Sequence, residues 1–174
     1  HKEYRRQRQM CIRDSNDRAY VSDRHAGYLY RHNVEPGDVL VAGLGEDNNA
    51  VGRACCYPDG LPAAINKADC FRLRCVQRIA LYAYVMYYLN TVAARRQLRR
   101  YEQGVTRRRI NLGNLKRILI EVPAIAEQSE IVNMLAAAQR DVEAHEVQAA
   151  KLQLEKQGLM HDLLTGRVRV PMAA

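Results

Sequence analysis

The sequence predicts an α+β protein, a mixed-sheet domain followed by one long C-terminal helix of coiled-coil type. Three observations carry that expectation. Short apolar runs bounded by Gly, Pro and Asn fill residues 38–76. The hydrophobic period then changes from two to that of a helix over Arg78–Leu98. Beyond Pro123 an apolar seam at alternating spacings of four and three residues continues to Leu163.

The opening residues 1–15, HKEYRRQRQMCIRDS, have neither period. Their end, RQRQMCIRDS, resembles translated sequencing-adapter read-through. The segment is set aside as non-native or disordered, an ordinary basic arm being the alternative. On the first reading the domain at residues 16–123 is truncated at its N-terminus.

Val34-Glu35-Pro36-Gly37-Asp38 is a turn signal, with Pro then Gly between polar residues. Asp38–Ala42 (DVLVA) reads as a buried strand. Gly43–Ala50 is a loop, and Val51–Tyr57 (VGRACCY) a second strand ended by Pro58-Asp59-Gly60. The third strand, Cys70–Val76, alternates Phe71, Leu73 and Cys75 with Arg72 and Arg74, which gives it one buried and one wet face. In Arg78–Leu98, Ile79, Tyr82, Val85, Met86, Leu89, Val92 and Ala93 fall on one helical face. Arg95, Arg96, Arg99 and Arg100 crowd the end of that helix, where the dipole favours cations. Gly104 is the expected stop. A polar basic loop (Thr106–Asn114) and a short strand (Arg117–Val122) lead to Pro123.

The last element spans residues 124–166, with residues 167–174 as a tail. Its seam holds Ile131, Leu135, Ala138, Val142, His145, Ala149, Leu152, Lys156, Leu159 and Leu163, a heptad pattern interrupted at His145 and Lys156. Glu127 and Glu130 suit the N-terminal dipole, and Gly166 is the expected C′ residue. A helix of about 39 residues is roughly 58 Å long. One seam cannot bury itself and no second long helix follows from this sequence, so an intermolecular partner is expected.

Charge divides the same way. Residues 1–123 hold 22 Lys and Arg against 12 Asp and Glu, and residues 124–174 hold 5 against 7. A polyanion partner, or simply a solvated basic surface, therefore concerns the first part alone. Five cysteines and no signal-peptide pattern suit a reducing, cytoplasmic setting. No apolar run approaches the roughly 20 residues of a membrane-spanning helix.

Catalytic patterns are missing. Gly43-Leu44-Gly45 lacks the spacing of a dinucleotide turn, and no P-loop lysine follows. Cys55, Cys56, Cys70 and Cys75 do not have zinc-knuckle spacing and read as small core residues. The histidines have no Ser or Cys partner, and the aspartates beside Gly and Pro read as turn formers. No cofactor or metal is expected.

Arginine and asparagine pair bidentately with guanine and adenine edges, whereas lysine and backbone amides hold phosphates. The candidate DNA-contacting residues are Asn48, Asn49, Lys67, Arg95, Arg96, Arg99, Arg100, Thr106, Arg107, Arg108, Arg109, Asn111 and Asn114. Three consecutive arginines also suit phosphate binding or a solvated surface, so base readout is one of three readings. The candidate helix interface is Ile131, Leu135, Val142, Leu152, Leu159 and Leu163.

An ordered set of short motifs resembles the specificity subunit of type I restriction–modification systems. Pro36-Gly37-Asp38-Val39-Leu40 opens a strand, Val51-Gly52-Arg53 follows the glycine loop, and Ile65-Asn66-Lys67 precedes Phe71-Arg72-Leu73. Then come Gln103-Gly104-Val105-Thr106, Ile110-Asn111 with Leu115, and Pro123-Ala124-Ile125-Ala126-Glu127-Gln128 with Ile131-Val132. Gly158-Leu159-Met160, Leu163-Leu164-Thr165-Gly166 and Arg167-Val168 close the set, which covers roughly residues 28–170. The resemblance implies a target-recognition domain followed by a spacer helix. In a full subunit two such pairs lie with their helices antiparallel, each domain reading half of a split DNA site. Such a subunit does no chemistry and positions methylation and restriction subunits. With one domain and one helix, this chain is expected to be either the C-terminal half of a longer subunit or a half-subunit that dimerises through its helix. Two rivals remain. A recognition tail of a single-chain restriction–methylation enzyme would be preceded by methyltransferase motifs. A coiled-coil interaction protein with an incidental basic face would lack salt-dependent DNA affinity.

Overall fold

The structure, a computed structural model, describes residues 4–6, 19–45, 49–66, 69–105 and 107–170, with 4–6, 19 and 20 as backbone. Its elements in chain order are β1 (Tyr4–Arg6), β2 (Ala19–Val21), α1 (Asp23–Tyr28), a 3-10 turn (Tyr30–His32), β3 (Asn33–Val34), β4 (Val39–Ala42), β5 (Ala54–Cys56), β6 (Ala64–Ile65), β7 (Cys70–Leu73), α2 (Tyr82–Leu89), α3 (Val92–Arg99), α4 (Leu112–Leu115) and α5 (Ile125–Leu164). The chain divides into two compact units, residues 1–132 and 133–174. The α+β class expected from the sequence is the one observed.

The first unit holds two small sheets, ordered β2-β1-β6-β3 and β5-β4-β7. In the first, β1 is antiparallel to β2 and parallel to β6. Thus three residues of the segment set aside on sequence grounds take a place in the sheet; so short a strand leaves no period to read. The second sheet is antiparallel throughout, with β4 central.

All four residues of β4 are buried. Alternation along the strand sends Val39 and Val41 to the larger core, with Val51, Val85, Leu89, Leu98, Ile110 and Leu115. Leu40 goes to the other side, with Val34, Tyr57 and Ala64. Apolar surface on both faces explains why the run reads as continuously hydrophobic. Full burial of each aliphatic side chain contributes about 1.5–3 kcal/mol. The expected strand at Val51–Tyr57 is shorter, because Val51 and Gly52 form a turn. Gly52 has φ +77°, and a Cβ there would lie 2.4 Å from Leu98 Cδ1, so only glycine lets the turn sit on this core residue.

The single helix expected over Arg78–Leu98 is two. Asn90 ends α2, and its amide binds β5 as a strand neighbour would: Nδ2 donates to Ala54 O at 2.8 Å and Oδ1 accepts from Ala54 N at 3.2 Å. Thr91 then caps α3, its Oγ1 accepting from Ala94 N at 3.2 Å. The break re-aims the apolar face. Tyr84, Val85, Leu89, Ala94 and Leu98 are buried, while Ile79 and Val92, placed on the buried face by the uninterrupted period, are exposed.

The expected strand at Arg117–Val122 is likewise not a strand. Ile118 and Ile120 pack on the core, but side chains satisfy the backbone. Gln97 donates to Leu119 O and accepts from Leu119 N, both at 2.9 Å, and Tyr84 Oη donates to Glu121 O at 2.8 Å. Within the preceding loop, Asn111 caps α4 by accepting from Asn114 N at 2.8 Å.

Helix α5 has 40 residues, close to expectation and about 60 Å long. Its first turns belong to the first unit, where Gln128 is fully buried. It ends as expected, with Gly166 at φ +72° and its N–H donating to Leu163 O at 3.3 Å. Among the described residues, no helix is long and apolar enough to cross a membrane.

Candidate nucleic-acid interface

The loop that opens at Gly43 and the loop that carries Arg107–Arg109 are joined through their backbones. Leu44 and Arg109 form an antiparallel bridge. Gly45 N–H donates to Arg108 O at 2.9 Å and Ile110 N–H to Gly43 O at 3.0 Å. Gln103 and Arg109 donate to each other's carbonyls, both at 2.8 Å, which closes the intervening residues into a hairpin loop. At its entry Gly104 has φ +94°, and a Cβ would meet Arg107 O at 2.7 Å. The glycine expected to stop the preceding helix instead allows this turn, since α3 already ends at Arg99.

The hairpin carries the charge. Arg107, Arg108 and Arg109 are exposed, as are Arg96, Arg99 and Arg100 on and after α3, and Lys116 and Arg117 beyond α4. Arg108 forms an ion pair with Glu102 at 3.3 Å; Arg107 and Arg109, in no such pair among the described residues, are the stronger candidates for an anionic ligand. The Arg117 guanidinium lies 5.9 Å from the Tyr101 ring centroid, a cation–π distance.

Four candidates, Arg95, Asn111, Asn114 and Asn49, are engaged within the fold. Arg95 donates to Val51 O at 2.5 Å and to Asn90 Oδ1 at 3.1 Å. Its burial, and the positive charges of Arg53 and Arg99, lower its pKa against the opposing pull of Glu102. It holds the Gly52 turn against α3. Asn111 is the α4 cap, and Asn114 Nδ2 donates to Tyr101 O at 3.4 Å. Asn49 accepts from Arg53 Nη1 at 2.6 Å, so it is part of its own loop's scaffold. Asn48, Lys67 and Thr106 lie outside the described residues. Sequence reasoning missed Arg31, His32 and Arg72, which share a cleft with Leu112 of α4. The basic and aromatic run Tyr28-Leu29-Tyr30-Arg31-His32 was the available signal.

Among the described residues the cysteines pack as small core residues. Cys56 and Cys75 contact the larger core, and Cys55 and Cys70 the smaller. Burial pushes the Cys56 and Cys70 thiols up to about 11, so both are protonated at neutral pH and poor ligands or nucleophiles. In the second unit, Leu135, Val142, Leu152, Leu159 and Leu163 of the seam are 41–61% exposed. Ile131, in the first unit, is half-buried.

The HsdS subunit from Thermoanaerobacter tengcongensis, known from a crystal structure, is similar in fold, with a TM-score of 0.60 at 19% identity. The match covers 91% of this chain and 40% of that one, so the chain spans less than half the length of that subunit. No curated protein matches the chain in sequence. The family model described as type I restriction modification DNA specificity domain matches residues 56–154. That stretch runs from β5 into α5 and takes in the arginine hairpin and more than half of the sequence, and the chain belongs to this specificity-domain family.

Proposed function

We propose that the chain recognises one half of a split DNA site, as half of a type I specificity subunit. The observation that carries this reading is the arginine hairpin, pinned through Gly45, Arg108 and Arg109 to a neighbouring loop within a domain of the specificity family. Backbone pairing fixes where the guanidinium groups start, which lowers the ordering cost of binding. Arg107 and Arg109 then reach base edges or phosphates, and Arg96, Arg99 and Arg100 hold the DNA backbone. Residues 16–123 form the target-recognition domain and residues 124–166 the spacer. The seam at Ile131, Leu135, Val142, Leu152, Leu159 and Leu163 docks a second spacer helix, from another half or another copy, together with methylation subunits. The chain does no chemistry itself. It directs methylation and restriction subunits to their site on duplex DNA in the cytoplasm.

The test is selection from randomised duplex DNA at two salt concentrations, using the chain with its methylation subunit. Enrichment of one short fixed motif at the higher salt supports base readout. Salt-sensitive binding without a motif reduces the hairpin to a phosphate clamp. Absence of binding at both salts overturns the proposal in favour of an interaction protein.

A further inference from the structure

A cleft of about 330 Å³ lies between the 3-10 turn, the start of β7 and the first residue of α4. Its lining includes Arg31, His32, Asn66, Arg72 and Leu112, and no carboxylate among the described residues. The walls are fixed by hydrogen bonds. Asn66 N–H donates to His32 O at 2.9 Å, and its Nδ2 donates to Cys70 O at 2.7 Å. Arg72 Nη1 donates to Asn33 O. One asparagine and one arginine thus tie the turn to β7 from both directions. Arg31 is oriented by its neighbour, with Nε donating to Tyr30 Oη at 3.0 Å and its guanidinium 5.6 Å from the Tyr30 ring centroid. Tyr28 and Tyr30 are 71% and 60% exposed beside it.

We propose that this cleft is a second DNA-backbone site, in which Arg31 and His32 hold a phosphodiester group. The inference rests on the DNA-recognition reading above and adds a place of contact to it. Guanidinium and imidazole groups on a preformed wall are donors that bind phosphate oxygens. A polymer phosphate is favoured over a free one by position. Leu112 lines the cleft only three residues after Arg109, in the helix that Asn111 caps, so the hairpin and the cleft lie within reach of one duplex. Arg72 and Asn66 are positioning residues, because they hold the backbone of residues 32 and 33 rather than the ligand.

The experiment measures affinity of the full chain for random-sequence duplex DNA across a salt series. The variants are R31A, R31K, H32A, and R140A as an equal loss of charge on α5. Each lost phosphate contact lowers the slope of log affinity against log salt by about 0.9. R31A is expected to lose that much slope and to bind severalfold more weakly at low salt. R31K is expected to recover most of both, and R140A to match the unaltered chain. H32A is expected to weaken binding less than R31A, and the motif selected from randomised DNA stays the same in all variants. R31A with an unchanged slope, while R107A/R109A weakens binding, overturns the cleft and leaves DNA recognition standing. Equal losses in R31A and R140A reduce the effect to general charge and also overturn it. Inorganic phosphate that shifts the His32 resonance while R31A leaves DNA binding unchanged marks a free-anion site and overturns the DNA assignment. No DNA binding by the unaltered chain removes both proposals together.

Discussion

The Gln128 side chain accepts the Leu81 N–H through Oε1 at 2.9 Å, across 47 residues of sequence. Its Nε2 donates to Ile79 O at 3.0 Å and to Pro123 O at 2.7 Å. One fully buried amide therefore satisfies the entry to α2 and the entry to α5 at once. Leu81 is the N-cap residue of α2 and makes no side-chain cap of its own, so Gln128 supplies what the local sequence lacks. Replacing it strands buried backbone groups. Q128A is expected to cost about 2–3 kcal/mol, and Q128M, which keeps the volume, nearly as much. Denaturant midpoints of the two variants test this. A midpoint unchanged in Q128M contradicts it.

Asp38 closes the Pro36-Gly37 turn and anchors Arg74. Its carboxylate accepts from Arg74 Nε at 2.7 Å and Nη2 at 2.8 Å, and from Glu35 N–H at 2.9 Å. Burial works to raise its pKa. The Arg74 hydrogen bonds, the Glu35 N–H and the charges of Arg74 and Arg72 outweigh burial and hold it below the ordinary 3.8. A depressed folded pKa means that the ionised carboxylate stabilises the fold fully above the unfolded value. The contribution falls away as pH drops below about 3.8 towards the folded pKa. D38N is therefore expected to lose roughly 1–3 kcal/mol at neutral pH, Arg74 being half exposed. The difference from the unaltered chain should shrink below pH 4. Denaturation between pH 3 and 7 reads it directly, and a gap that widens in acid would be the wrong sign.

Gly52 couples the turn before β5 to α3. G52A places a methyl group against Leu98 and forces a positive φ on an L-residue. Overpacking and backbone strain together are expected to cost about 2–4 kcal/mol. The compensating G52A/L98A pair relieves the contact but not the φ, and should remain destabilised by thermal melting.

At the hairpin, Arg107 and Arg109 should dominate DNA affinity over Arg108, which Glu102 already pairs. R107A/R109A is expected to flatten the salt dependence by about two units, roughly 0.9 for each contact. If either arginine reads a guanine, its single variant also relaxes one position of the selected motif, by about 1–3 kcal/mol. R108A alone should change both least. Titrations at several salt concentrations, with selection on each single variant, separate these outcomes.

The parts legible in the sequence are those governed by nearby residues. Val39–Ala42 is apolar and bounded by a Pro-Gly turn, and α5 carries one seam from Ile131 to Leu163, interrupted at His145 and Lys156, before Gly166 stops it. What failed depended on residues distant in sequence. Asn90 breaks a helical period because Ala54, 36 residues earlier, offers it two backbone groups. Arg117–Val122 has strand composition, but Gln97 and Tyr84 take its hydrogen bonds. The same limit applied to the site. The run Arg107–Arg109 was visible, while the Glu102 pairing of Arg108 and the inward turn of Arg95 required the fold. Arg31, His32 and Arg72 carry no joint spacing, and only Asn66 and the β7 start bring them together.

The α5 seam gives a prediction that leaves the first unit's cores untouched. Val142 is 51% and Leu152 55% exposed, and neither belongs to a buried core cluster. Leu152 also lines an apolar groove with Leu159, Met160 and Leu163. Aspartate at both positions should therefore leave the unfolding of the first unit unchanged. On a helix that pairs through this seam, each buried carboxylate meets an apolar partner and loses hydration, at a cost of several kcal/mol. V142D/L152D is expected to abolish association through the helix in sizing and light scattering, with and without methylation subunits. V142D/L152D that assembles as the unaltered chain does would exclude the seam as the interface. The exposed Val147 and Leu154, off the seam, would then be the next residues to charge.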